Sequence, residues 1–165
     1  MPIETAVSSR ARNMMRKAER AGLEICHKAP LDEYWEPMEA TFFRHGNSPT
    51  HSRKQLEDLL VRFPDSIRLD VAYWQGDPVG GICYFEINRR VMNSFYFCQT
   101  EQGKEYQSLN LLVMEGLRRS QFEGYQWMDF GTSTIHMKAR PNIFRFKESF
   151  SCQGMFREKL EWERS

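Results

Sequence analysis

Apolar positions follow two different periods along this chain, and the switches between them mark its elements. Residues 8–21, SSRARNMMRKAERA, read as a basic helix, with Ser8 or Ser9 as N-cap and Gly22 where a left-handed residue closes the last turn. Residues 23–28 form a short strand candidate. Residues 31–45 predict an aromatic-rich helix that Pro37 must kink or restart. The segment His45 to Thr50, HGNSPT, is turn chemistry, and Ser52-x-x-Gln55 reads as a capping box opening the next helix. In that helix Leu56, Leu59, Leu60 and Phe63 recur at i, i+3, i+4 and i+7, an amphipathic stripe.

The middle of the chain alternates instead. Ile67, Leu69, Val71 and Tyr73 interleave with Arg68, Asp70 and Ala72, which is strand spacing. Gly76-Asp77-Pro78 turns into a second strand, Val79 to Ile87, and Asn88 to Arg90 turns into a third, Val91 to Gln99. A helix is expected from about Glu105 to Glu123, with Leu109, Leu112, Val113, Gly116 and Leu117 on one face and Gly116 allowing close approach to a sheet. Gly124 ends it. Tyr125 to Phe130 is a buried strand, a loop follows, Pro141 to Phe150 is a short amphipathic segment, and Met155 to Trp162 is a last strand. A three-strand meander followed by a strand–helix–strand crossover predicts a single α+β (mixed α/β) domain, a central mixed sheet with helices on both faces.

Composition narrows the class without naming a reaction. The 165 residues are 41% hydrophobic and 27% charged, enough apolar content for a packed core. Lys and Arg number 23 against 22 Asp and Glu, a net charge of +1, which argues against a nucleic-acid coat or a polybasic membrane binder. No apolar run is long enough to span a bilayer, and MPIETAVSSRAR has no signal-peptide core, so a cytoplasmic location is expected. Cys26, Cys83, Cys98 and Cys152 stand far apart with no CxxC pair, and are expected to be free buried thiols in a reducing compartment.

Single motifs exclude more than they assign. Asp129-Phe130-Gly131 spells a kinase magnesium motif, but the glycine-rich loop, strand lysine and catalytic loop are missing. Gly80-Gly81 lacks dinucleotide spacing and marks a close backbone approach or a bulge. His45 and His51 share a turn-rich loop with no ligand set nearby, His27 and His136 are isolated, and no metal is expected. A Gly-x-Ser-x-Gly elbow is absent.

Four segments taken together carry more. These are RNMMRKAERAGLEI (Arg12 to Ile25), FRHGNSPTHS with the helix after it and RFPDSIRLDVAYWQGDPVGGICYFEI, then QSLNLLVMEGLRRSQFEGYQWMDFGTS, then NIFRFKESF. In that order they resemble the acyltransferase domain of the FemAB-like group within the GNAT superfamily, over roughly residues 10 to 160. That group includes peptidoglycan-bridge aminoacyltransferases and acyltransferases of polysaccharide synthesis. The resemblance implies a GNAT fold over residues 1–165, similar to the C-terminal half of a tandem FemAB-like protein.

It also implies a site. In the GNAT fold the strands here at Val91–Gln99 and Tyr125–Phe130 splay apart to admit the acyl donor, and the helix between them aims its first N–H groups at donor phosphates. Tyr96, Gln99, Thr100 and Asn110 are then the polar side chains expected to line the opening, unless they are ordinary strand-end and capping residues. Phe146-Lys147 matches the family's F-K pair, so Lys147 is expected to hold a phosphate or stabilise the tetrahedral oxyanion. Asp129 matches the aspartate at the end of the crossover strand and is expected to orient the amine or pair with Arg145. One departure matters: the loop TEQGKEYQSLN has Gly103 alone where acyl-CoA enzymes of the superfamily use a glycine-rich pyrophosphate loop. Acyl-CoA and aminoacyl-tRNA therefore both stand as donors. Arg10, Arg12, Arg16, Lys17 and Arg20 offer a basic helix to tRNA or form a solvated face. The expected activity is transfer of an acyl or aminoacyl group onto an amine of a cell-envelope precursor or polysaccharide. The alternatives are an acyl-CoA-dependent N-acetyltransferase acting on a small amine and a non-catalytic binding domain.

Overall fold

A computed structural model describes residues 2–135, 138–156, 158 and 160–163. The chain opens with α1 (Ile3–Ala6), α2 (Ser9–Arg20), β1 (Glu24–His27), α3 (Leu31–His45) and α4 (Arg53–Arg62). The meander follows as β2 (Ile67–Trp74), β3 (Asp77–Asn88) and β4 (Val91–Gln99). Then come α5 (Glu101–Glu105), α6 (Ser108–Phe122), β5 (Trp127–Asp129), a hairpin of β6 (Thr134–Ile135) and β7 (Lys138–Ala139), and α7 (Pro141–Glu148). Five strands form one sheet in the order β1-β2-β3-β4-β5, antiparallel up to β4 and parallel between β4 and β5. A parallel pair needs a crossover, and α6 supplies it.

The local signals in the sequence act as expected. Ser8 accepts the Ala11 N–H, and Ser52 and Gln55 complete a reciprocal capping box at the start of α4. Four expectations change. Pro37 lies inside one continuous α3. The helix expected from about Glu105 divides into α5 and α6, because Gln107 takes a left-handed φ of 65° between them. The hairpin β6–β7 occupies what the sequence presents as loop, since two-residue strands leave no period to read. Met155 to Trp162 forms no strand among its described residues; Arg157 and Lys159 within it lie outside them, as does His136.

Strand alternation sends side chains into two cores. Ile82, Tyr84 and Met92 pack with Ala11, Met15 and Ala18 of α2 and with Leu112 and Val113 of α6. Leu69, Val71, Cys83, Tyr96 and Cys98 pack on the other face with Tyr34 and Met38 of α3 and Leu56 of α4. Gly116 lets α6 sit against β3, because a Cβ there would collide with the Tyr84 hydroxyl. The buried Asp70 carboxylate is paired with Arg119 at 3.1 Å and with His27 at 3.1 Å, tying β1, β2 and α6 at one end. No helix among the described residues is long and apolar enough to cross a membrane.

Candidate active site

Strands β4 and β5 form a fork. They pair at only three positions, Val91 with Trp127, Met92 with Met128 and Asn93 with Asp129, and β4 then continues to Gln99 paired with β3 alone. The last pair is fastened by side chains: the Asp129 carbonyl accepts from Asn93 Nδ2 at 3.3 Å and from Ser94 Oγ at 3.0 Å. Past it the ladder between them ends. Phe97 and Phe130 stack near the fork, centroids 6.0 Å apart, and both belong to the core on the α6 face. Alternate residues of an antiparallel ladder turn their N–H and C=O away from the partner strand. Gln99 does so, with its N–H donated to Thr41 Oγ1 at 2.8 Å and its carbonyl accepting from Thr41 and Arg44. Two residues earlier, Phe97 turns its backbone groups to the same side of β4, beside the end of the β5 ladder. Asn93 Oδ1 is buried beside the fork with no hydrogen-bond partner among the described residues.

The opposite face of β4 carries a titratable pair that the sequence alone does not bring together. A register shift leaves Phe95 as an extra residue between Ser94 and Tyr96. His51, in the loop before α4, lies over this bulge, 5.7 Å from the Phe95 ring and 6.4 Å from that of Phe85. Its Nδ1 is 2.8 Å from the Tyr96 hydroxyl, and its backbone N–H donates to the same oxygen at 3.0 Å. The ring is thus held through Nδ1, and Nε2 has no hydrogen-bond partner among the described residues. Burial raises the Tyr96 phenol above its ordinary value, which keeps it protonated.

Lys147 closes the side of the fork. It is 8% exposed, and Nζ donates to the carbonyls of Gly131 at 3.1 Å and Thr132 at 2.6 Å. Burial lowers its pKa from the usual lysine value, an effect opposed by Cys152 and Asp129 nearby. The Asp129 carboxylate accepts the Gly131 N–H at 2.7 Å, a local turn that fixes the exit of β5. Lys147 and Asp129 thus meet at one loop, where each holds backbone.

A sequence profile of the acetyltransferase (GNAT) domain matches residues 6–147. The chain belongs to the GNAT acetyltransferase family. Solved structures share its fold at low identity. FemX superposes with a TM-score of 0.73 at 10% identity over 91% of this chain, which spans 57% of FemX. The aminoglycoside acetyltransferase AAC(6′)-Iy, in complex with a CoA bisubstrate analogue, gives 0.64 at 14% identity over 87% of this chain and 99% of its own. A second aminoglycoside acetyltransferase, from an uncultured soil metagenomic sample, gives 0.61 at 14% identity over 86% of this chain and 97% of its own. No curated protein sequence matches.

The other residues expected at a GNAT donor site do not converge. Tyr96 is buried on the α3 face rather than turned into the fork. The Gln99 side chain meets Ser108 Oγ at 3.5 Å, Thr100 caps α5 by accepting the Gly103 N–H at 3.1 Å, and Asn110 donates to Gln107 Oε1 at 3.0 Å. Arg145 is exposed on α7, and Phe146 packs edge-on against Phe150 at 5.3 Å. On α2, Arg12 and Lys17 are spent on backbone carbonyls, Lys17 on that of Glu105 at 2.8 Å. Cys83 and Cys98 are buried, Cys152 is half-buried and Cys26 is exposed, since β1 is an edge strand. No cluster of metal-ligating side chains occurs among the described residues.

Acyl-CoA is the donor of GNAT acetyltransferases, and its two ends fare differently here. The open edge at Phe97 and the orphan Asn93 Oδ1 fit an extended, amide-bearing arm. In the loop from Thr100 to Gln107 four N–H groups are already engaged. Its N–H groups at Gly103, Lys104, Tyr106 and Gln107 are bonded within the loop, and Gly103 is there because a Cβ would strike the Val79 carbonyl.

Proposed function

We propose that this chain is an acyltransferase of the FemAB-like branch, moving an acyl or aminoacyl group onto an amine of a cell-envelope precursor or polysaccharide. The observation that carries the reading is the fork: pairing of β4 with β5 ends at Asn93 and Asp129, leaving an edge along which a donor arm can lie. The likeness to FemX, of which this chain spans 57%, supports the branch and the reading of the chain as one half of a tandem protein of that kind.

Transfer to an amine needs a free nitrogen lone pair, a held carbonyl and a shielded site. In this reading Nδ1–H of His51 donates to the Tyr96 oxygen, which leaves Nε2 as the bare nitrogen that takes the proton of the acceptor ammonium from the β4 bulge side. The Phe97–Phe130 stack keeps the fork dry. Lys147 is a positioning residue that pins Gly131 and Thr132 at the rim. The donor is an acyl thioester or ester bound mainly through its arm, whether on CoA or on aminoacyl-tRNA. The second reading is N-acetylation of a small amine, favoured by the nearly full-length coverage of the aminoglycoside enzymes. A thermal-shift screen with acetyl-CoA, CoA and a UDP-linked muropeptide separates them. Stabilisation by the muropeptide supports the first reading and by the CoA species alone the second; stabilisation by none of them refutes both and leaves a non-catalytic domain.

A further inference from the structure

Strand β4 ends against α3, and that contact uses up the last backbone groups the strand turns away from β3. Gln99 is the final residue of β4 and pairs with Gly80. Its neighbour Thr100 donates its N–H to the Val79 carbonyl at 3.0 Å, so the N–H and C=O of Gln99 point the other way. The N–H donates to Thr41 Oγ1 at 2.8 Å. The carbonyl accepts from Thr41 Oγ1 at 3.0 Å and from Arg44 Nη2 at 3.2 Å. The single Thr41 proton is shared with the Pro37 carbonyl at 2.9 Å, so the guanidinium secures the Gln99 oxygen. Together the two side chains do for Gln99 what a neighbouring strand would do.

The same arginine ties off the chain beyond β4. Arg44 Nη1 pairs with Glu101 in the first turn of α5 at 2.6 Å, and Lys104 Nζ lies 3.9 Å from the same carboxylate. Two cations at the end of β4 are thereby engaged by one acid, and that acid stands where a donor phosphate following the strand would meet it. Phe97, two residues earlier, differs. Its outward backbone groups meet neither Thr41 nor Arg44, and the β5 ladder has already ended at Asn93. An extended chain with several amides is read by a strand edge at every second residue. Here a first amide finds Phe97, and a second finds Gln99 already bonded.

On the reading that the fork is the donor site, we propose that Thr41 and Arg44 determine donor specificity by closing the β4 edge at Gln99. The donor is then held by its acyl group and the first amide or ester beyond it, and the phosphates of a CoA carrier add no affinity.

Amide NMR titrations of the full chain with acetyl-CoA and with S-acetyl-N-acetylcysteamine, which has the thioester and one amide but no phosphate, test this. The parent is expected to bind both with about equal affinity. The double variant Thr41→Ala, Arg44→Ala frees the Gln99 N–H and C=O, and it is expected to bind acetyl-CoA about tenfold more tightly, the worth of one or two regained hydrogen bonds. Its affinity for the truncated thioester stays that of the parent. Alanine favours a helix, so α3 is expected to persist, which circular dichroism verifies. Thr41→Ser keeps the hydroxyl and is expected to keep the parent's parity between the two ligands. A parent that already prefers acetyl-CoA about tenfold, or a folded double variant that gains nothing, overturns the proposal while leaving the fork as donor site. Failure of both thioesters to bind parent and variant alike overturns the fork reading together with it.

Discussion

Replacing Lys147 by methionine removes the ammonium while keeping an unbranched chain of similar length. The wild-type Nζ makes two charge-assisted bonds, to the carbonyls of Gly131 and Thr132. Such bonds contribute about 1.5–3 kcal/mol each. Against that stands the cost of burying the ammonium, visible in its lowered pKa and recovered when the charge is removed. Gly131 and Thr132 are themselves exposed, so water reaches the carbonyls that lose their donor. The balance is a net loss of about 1–2 kcal/mol, well below the sum of the two bonds. For a chain of this length that lowers Tm by roughly 3–6 °C. The change should be local as well as global, with amides from Phe130 to Thr134 exchanging faster while those of β2 and β3 keep their order of protection. Urea titration followed by hydrogen exchange measures both. An unchanged midpoint with unchanged exchange in that loop would refute the role assigned to Lys147.

Two further outcomes follow from the geometry. Gly103→Ala places a methyl group against the Val79 carbonyl, a backbone atom that cannot step aside, and should cost about 1–3 kcal/mol by urea titration; wild-type stability in that variant would show that α5 is free to move off β3. Stability should also fall with alkalinity. Burial pushes the Cys98 thiol to about 12 and the Cys152 thiol to about 11 from 9.0, so the unfolded chain releases those protons first. Their contribution is complete below pH 9 and is lost as the pH rises toward the folded values, while Lys147, shifted the other way, adds stability with rising pH just below 10.5. Urea midpoints measured from neutral pH upward, with Cys98→Ala flattening the fall, check the sign.

How far the sequence reaches depends on the range of the interaction. Helix starts at Ser8 and Ser52, the stops at Gly22 and Gly124, the meander from Ile67 to Gln99 and the crossover onto β5 were all legible, because each rests on hydrogen bonds or periodicity within a few residues. The family resemblance named the two strands whose ladder ends at Asn93 and Asp129. The division of α5 from α6 depends on one left-handed residue, Gln107, and on the Val79 carbonyl meeting Gly103, neither of which leaves a periodic trace. Lys147 and Gly131 are joined by a buried ammonium across a loop, and the sequence marked Lys147 and the neighbouring Asp129 without showing this contact. His51 and Tyr96 are 45 residues apart and meet only because β4 bulges at Phe95 beneath the loop before α4. Local chemistry therefore set the elements and their order. Which polar groups face one another was decided by packing, since a side chain's partner across a sheet depends on register, and one bulged residue is enough to turn it to the other face.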